Sequence, residues 1–346
     1  MLDLISIGDV TEDVFLQIDD VSTVVCDSQN HNCELHIPFG TKLGVSRVDK
    51  LLGGNAGNMA IGASRLGLRT ALYAEVGKDV QGDLLYNSLR ENKVSTKYFV
   101  RKKGEKTNYS VVLNHHAERT ILVHHEPRAY VVPRFEGVRW MYLTSMAKGS
   151  EKIFSKIISY VSKNGVKLAF NPGTYQLHLG LEKLRPLIAK CSVLIINTEE
   201  AQLLLQMEKR DFRLLLLSLR KVMGQEEGVV VITDGENGAY CYDGEEYYYC
   251  PIFKVPIVER TGTGDAFSTG FLCALRYGET VREALRWGAV NSAAVIGQIG
   301  PQAGLLTLQK MRKILNENQG FLARVFEGKE VVDKKVYVMK KGWMGY

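Results

Sequence analysis

The chain has 346 residues, 45% of them hydrophobic and 24% charged, which is ordinary for a globular protein of one large domain or two smaller ones. Its net charge of +6 (44 basic, 38 acidic) is spread out, and the densest run, Arg101-Lys102-Lys103, reads as a solvated turn, so no nucleic-acid partner is expected. No apolar run approaches the roughly 18 residues of a membrane span; the start lacks a basic leader pattern, and the six scattered cysteines suit a reducing cytoplasm.

Leu2–Gly8 is a short apolar run ending in glycine, the pattern of a buried parallel strand. Asp9, Glu12 and Asp13 follow, where open α/β sheets bind ligands. A carboxylate there suits sugar hydroxyls, but Asp9 and Glu12 read more simply as a solvated loop. Residues 14–50 alternate polar and apolar in short pieces, as antiparallel strands with one open face do. Within them Cys26, His31, Cys33 and His36 match no compact zinc pattern and read as a polar loop.

Leu52–Asn58 then opens a helix over Met59–Leu66. Gly53 and Gly54 permit close backbone approach to a ligand, and Asn58 can both donate and accept. A strand at Thr70–Val76 and a helix at Asp83–Arg90 begin an α/β rhythm. A second alternating patch spans 97–126, with strands at Tyr98–Arg101, Asn108–Leu113 and Thr120–Val123. The adjacent pairs His115-His116 and His124-His125 point to opposite faces of a strand, so neither chelates a metal as a unit.

From Arg139 the rhythm returns. Strands are expected at Trp140–Leu143, Lys167–Phe170, Ser192–Ile196, Gly228–Thr233, Ala239–Tyr242 and Glu246–Cys250. Helices are expected at Glu151–Lys163, Leu179–Ala189, Glu199–Met207 and Phe212–Met223. Asn171-Pro172-Gly173 reads as a turn only. Asn197 and Glu200, at a strand end and on the next helical turn, suit a hydrated Mg2+, although a helix cap is the simpler reading of Asn197 and Thr198. Thr233–Gly238 is a glycine-bearing turn that suits a nucleotide or a hairpin. Helix Val281–Ile296 is rich in small residues, the loop Gly300–Gly304 closes that region, and residues 321–346 read as an extension laid on the surface.

Arg260–Phe267, RTGTGDAF, is the stretch that the rest serves, with an apolar small-residue helix over Ser268–Leu275 behind it. Gly262 and Gly264 bracket Thr263 at a helix start, so backbone N–H groups converge on one point that attracts an anion. Asp265 beside such a nest is electrostatically awkward unless the anion is a phosphoryl group in transfer and the carboxylate takes the proton of the attacking hydroxyl.

In combination these stretches resemble the ribokinase-like (PfkB) carbohydrate kinases over almost the whole chain. GGNAGNMAIGASRLG (Gly53–Gly67), VGKDVQGDLL (Val76–Leu85) and RTGTGDAFSTGF (Arg260–Phe271) carry the match, supported by Asp13, NTEE at Asn197–Glu200 and TDGENG at Thr233–Gly238. The resemblance implies an α/β fold with a central, mostly parallel sheet flanked by helices and a small β-sheet lid. It divides the chain into a core (1–13, 51–96, 127–320), a lid (14–50, 97–126) and a C-terminal extension (321–346).

The implied activity is phosphoryl transfer from Mg-ATP to a primary alcohol of a sugar such as ribose or fructose, with a nucleoside as the alternative acceptor and a catalytically silent binding module as a third reading. Asp265 resembles the base, and Gly262, Thr263 and Gly264 the anion hole. Asp13, Gly53, Gly54 and Asn58 fall where the family binds the acceptor, and Asn197, Thr233, Gly235, Gly238 and Asn291 where it binds ATP. Glu200 matches the element that organises Mg2+ through water. A nucleoside needs an apolar wall, for which Phe15, Phe39, Tyr98 and Tyr109 are available. The lid implies a homodimer. Glu259 stands where the family commonly has an Asp that helps hold a monovalent cation, which puts potassium activation in question.

Overall fold

The computed structural model describes residues 1–18, 24–27, 32–115 and 118–328, and for 24–27, 32 and 33 the backbone alone. Period-two alternation assigns the two faces of its central layer. In β1 (Leu2–Ile7), Leu4 packs on one side and Ile5 and Ile7 on the other; in β10 (Val138–Leu143), Trp140 and Tyr142 oppose Met141 and Leu143. Both faces are apolar because both are covered, as a parallel sheet requires.

Among the described residues that sheet has ten strands. Seven run parallel, in the order β7 (Phe99–Lys102), β6 (Thr70–Gly77), β1, β10, β11 (Lys167–Phe170), β12 (Val193–Asn197) and β13 (Val229–Thr233). The antiparallel strands β14 (Ala239–Tyr242), β15 (Tyr247–Cys250) and β16 (Arg324–Val325) extend one edge. Helices α3 (Phe154–Asn164), α5 (Leu181–Ile188), α6 (Thr198–Leu205) and α7 (Phe212–Val222) bury their apolar stripes on one face. The other face carries α1 (Asn55–Arg65), α8 (Thr263–Tyr277), α9 (Val281–Ile296) and α10 (Leu308–Glu317), with α2 (Val80–Glu91) beside α1. Side-chain caps start several of these helices: Asp79, Asp211, Thr280 and Thr307 each accept from a backbone N–H three residues on.

A smaller sheet, ordered β5 (Arg47–Gly53), β2 (Thr11–Gln17), β8 (Asn108–His115) and β9 (Glu118–His124), leaves the body at the carboxyl end of β1 and returns through Gly53. It therefore stands over the edge where β1, β10, β12 and β13 end.

The sequence reading is corrected at several places. Phe99–Lys102, assigned above to the lid, is the edge strand of the large sheet. An edge strand with one face open alternates just as a hairpin does, so the pattern alone does not separate the two. Thr11–Asp13 already belong to the smaller sheet. Phe321, Ala323 and Phe326 are buried against β15 and α9, so the chain is still core there; residues 329–346 lie outside the described residues. Asn171-Pro172-Gly173 leads into a short helix, α4 (Thr174–His178). Cys26 and Cys33 are register partners in a hairpin of β3 (Val24–Asp27) and β4 (Asn32–Leu35), and His31, of the same cluster, is not described.

Candidate active site

Asp265 lies in the first turn of α8. Gly262, the N-cap, has φ 78°, and a Cβ there would meet Pro301 Cβ at 2.4 Å, so this position accepts only glycine. At Gly264 a Cβ would meet no atom within 4 Å, because the residue faces open space. Thr263 folds its hydroxyl back to donate to the Arg260 carbonyl at 3.0 Å. The N–H groups of Thr263, Gly264 and Asp265 have no intrahelical acceptor and carry the positive end of the helix dipole.

The Asp265 side chain is buried. Burial drives its pKa up to about 6 and the charges of Asp13 and Glu200 add to the rise, while a hydrogen bond from Asn58 opposes it. That bond runs from Asn58 Nδ2 to Asp265 Oδ2 at 2.8 Å. Asn58 Oδ1 in turn accepts from Gln302 Nε2 at 3.0 Å. Asn58 is thus a buried bridge from α1 to the carboxylate, with a protein partner at each end of its amide.

Asp13 is the second buried carboxyl, also raised to about 6, by burial first and by the Glu259 charge; hydrogen bonds from Thr11 and Ser110 pull the other way. A Cβ on Gly53 would fall 1.8 Å from Asp13 Oδ2, so glycine makes room for this carboxyl. Gly54 (φ 88°) caps α1 with its backbone against Asp9 and Val10. Asp9 and Glu12, expected in a solvated loop, are both 4% exposed. Asp9 accepts from the Tyr130 hydroxyl and from Ala147 N, each at 2.8 Å, and burial raises its pKa. Tyr130 covers Asp9, and Glu12 lies within β2 of the smaller sheet, which periodicity in one strand does not reveal.

Asn197 and Glu200 form a reciprocal capping box: Asn197 Oδ1 accepts from Glu200 N at 2.8 Å and Glu200 Oε2 from Asn197 N at 2.9 Å. Burial raises the Glu200 pKa. Glu259 is tied into the backbone, one carboxylate oxygen accepting from Thr261 N and the other from Gly300 N.

Three adjoining cavities open along the carboxyl edge of the sheet. The largest, about 840 Å³, lies between β9 and the core and is lined by Ile121, Val123, His125, Met146, Lys148 and Tyr175 among others. A 290 Å³ cavity shares Asn55, Asn171 and Glu200 with it and reaches Gly262–Asp265, Asn197, Arg119 and Arg260. The third, 330 Å³, shares Thr233, Arg260, Thr263 and Gly264 with the second and is walled by Gly235, Gly238, Phe253, Ala289 and Ser292. The order is a roomy pocket, a polar neck at the helix start and an apolar slot.

Several expectations are relocated. Asn291 is fully buried, donating to Ala266 O and accepting from Leu306 N, and Ser292 takes the slot-lining place one residue on. Phe15 and Tyr98 are core residues, Phe39 is wholly exposed, and Tyr109 does not line the large cavity, whose apolar wall comes from Ile121, Val123, Pro127, Met146, Pro172 and Tyr175. Arg119, Asn55, Asn171 and Gln302 were missed. Arg119 sits on the smaller sheet, next to Glu118, which pairs with Arg260 at 3.5 Å; only tertiary structure brings it to the neck.

A doubly wound sheet with an anion nest and a buried carboxylate at its ligand edge defines an α/β phosphotransferase. The model of the pfkB family carbohydrate kinases matches residues 22–308, and the chain belongs to that family: it is an ATP-dependent kinase of the sugar and nucleoside kinase group. The ATP-dependent 6-phosphofructokinase of Thermoanaerobacterium thermosaccharolyticum is 24% identical over 76% of this chain and 84% of its own. The 5-dehydro-2-deoxygluconokinase of Bacillus subtilis is 24% identical over 77% and 87%. The fold is that of the Methanocaldococcus jannaschii nucleoside kinase, an archaeal member of the ribokinase family (TM-score 0.75, 19% identity, 92% and 99% covered).

Proposed function

We propose that this enzyme transfers the γ-phosphoryl group of ATP to a primary hydroxyl of a ribose- or fructose-like sugar. The observation that carries the reading is the placing of Asp265 in the neck, at the junction of a pocket for the acceptor and a slot for the nucleotide. The acceptor's O–H proton passes to Asp265 as its oxygen bonds to the γ-phosphorus, and the bond to ADP breaks with the electron pair leaving on ADP. The N–H groups of Gly262–Asp265 meet the charge that develops on the phosphoryl oxygens, aided by Arg119 and Arg260.

Mg2+ fits the neck: Glu200 offers a desolvated carboxylate with one oxygen held by the cap, and Mg2+ characteristically keeps its waters and takes only one or two carboxylates beside substrate phosphates. Bound there through water, the ion would neutralise phosphate charge. Each Glu259 oxygen accepts one backbone N–H and keeps a lone pair, so the need for K+ is read from the assay below. Asn58 reaches the site through its bond to Asp265, while Gly53 packs on Asp13 and Gly54 on Asp9 and Val10 outside the cavity walls; Thr233, Gly235 and Gly238 bound the nucleotide slot.

The smaller sheet acts as the lid over the acceptor, shutting out water, itself a competing phosphoryl acceptor. Its edge strand β9 also exposes Leu122, which with its open backbone edge supports a homodimer through the lid. Buried thiols at Cys191, Cys241 and Cys273 accord with a cytoplasmic site of action.

The apolar wall of the 840 Å³ pocket favours a second reading, a nucleoside acceptor whose base rests on Ile121 and Val123. ADP release with Mg-ATP against free sugars, sugar acids, sugar phosphates and nucleosides, with and without K+, separates the two. Turnover on none of them, with ATP still bound, removes both acceptor readings and leaves an acceptor outside these classes or a catalytically silent binding module.

A further inference from the structure

The hydrogen bonds around Asn58 admit only one orientation of its amide, and the reason starts at a backbone carbonyl. Leu52 O can only accept, so the Gln302 atom 3.0 Å from it is Nε2. The same Nε2 spends its second hydrogen on Asn58 at 3.0 Å, so the Asn58 atom facing it is the carbonyl Oδ1. What remains to face Asp265 is then Nδ2, a donor, at 2.8 Å from Oδ2. The loop that carries Gln302 is itself held: Arg65 donates to the Gln302 carbonyl at 2.5 Å while its guanidinium also grips Asn92 Oδ1, and Gly300 N is bound by Glu259.

We propose that Gln302 is the positioning residue for the base: by fixing the Asn58 amide it keeps Asp265 Oδ2 occupied, so that Oδ1 is the atom that receives the acceptor's proton. This rests on the reading of Asp265 as the base. Without Gln302, the Asn58 amide is free to turn its carbonyl toward Asp265, an arrangement that suits only the protonated acid. The carboxylate then loses the one hydrogen bond that opposes the effects of burial and of its acidic neighbours.

The test reads Asp265 directly and needs no acceptor. Protein carrying aspartate labelled with 13C at the carboxyl is titrated from about pH 4 to about pH 9, a span around the raised carboxyl range, and Asp265→Asn assigns the resonance. Gln302→Met keeps the length of the side chain but cannot donate. It is expected to move the Asp265 midpoint upward by about one to two pH units, as loss of one charge-assisted hydrogen bond does. In an Asn58→Leu background the same substitution is expected to move it no further.

An unmoved midpoint in Gln302→Met overturns the proposal, as does an equal movement in the Asn58→Leu background, since a residue that merely fills space has no need of Asn58. Turnover of Asp265→Asn on the acceptor found by the panel judges the underlying reading separately. Near-normal turnover removes the base and this inference together. An inert Asp265→Asn beside an unmoved midpoint removes Gln302 alone.

Discussion

Asn58 Nδ2 and Asp265 Oδ2, 207 residues apart in the chain, lie 2.8 Å from one another, and this contact ties the start of α1 to the start of α8. Glycine motifs and acidic residues from distant parts of the sequence become one site through it. The same contact makes Asp265 both buried and oriented.

Removal of the carboxylate is the first expectation. Asp265→Asn should lower kcat by about 10²–10⁴, the usual worth of a positioned general base, while ATP affinity by calorimetry stays within about twofold, because the anion nest is backbone.

The pH dependence of rate follows from the same group. With Asp265 held at about 6, it acts as a base only above that value, so kcat/KM should drop about tenfold per pH unit below it. A profile flat down to about pH 4.5, near the ordinary carboxylate range, would remove Asp265 from the rate expression.

Stability should run the other way. Asp13 and Asp265 have folded pKa values of about 6, above the unfolded value of 3.8, so between these limits the native state binds protons that the unfolded state does not. These two groups therefore add stability as pH falls from about 6 toward 4, and subtract it at neutrality. Asp13→Asn should raise the unfolding free energy by up to about 3 kcal/mol at pH 8 and by almost nothing at pH 4. Chemical denaturation at the two pH values checks the sign. Asp3, whose pKa is held low by Arg69 and Arg276 against the cost of burial, opposes this trend only below the ordinary carboxylate range.

Gly53→Ala inserts a methyl where the Asp13 carboxylate lies. Thermal unfolding should report a loss of about 1–3 kcal/mol from overpacking, and the acceptor KM should rise. In the Asp13→Ala background the stability loss should shrink, since the obstacle has gone.

Arg119 belongs to the smaller sheet, so it reaches the neck only while that sheet stands over the core. Arg119→Ala is expected to cut kcat by about a hundredfold to a thousandfold, the range found when one donor to a developing charge is lost, with ATP affinity nearly unchanged. An effect confined to ATP affinity would place Arg119 on the nucleotide alone.

The sequence was most legible where one local pattern had one structural meaning. Lys167–Phe170 and Ala239–Tyr242 are strands at the very residues expected, because short apolar runs between turn signals leave little choice. Asn197 and Glu200 make the cap that an N-x-x-E pattern allows. Tyr98–Arg101 shows the limit: alternation reports one open face, and the edge of a parallel sheet and a lid hairpin share that property. Asp9 shows another, since Tyr130, which covers it, is 121 positions away. Asn291 was misplaced by a single position; on a helix that is about 100° of rotation, enough to turn a side chain from the slot into the core.

The ordering of the chain has a consequence for its synthesis. Everything on the acceptor side up to Asn58 leaves the ribosome early, but α8 and the Gly300–Gly304 loop emerge late, and β1 must wait for β10 to gain its second neighbour. A nascent polypeptide stopped short of Gln302 would hold the frame of the pocket without an oriented base. An oriented base at Asp265 is thus a late acquisition of synthesis, arriving only once the loop that carries Gln302 has emerged.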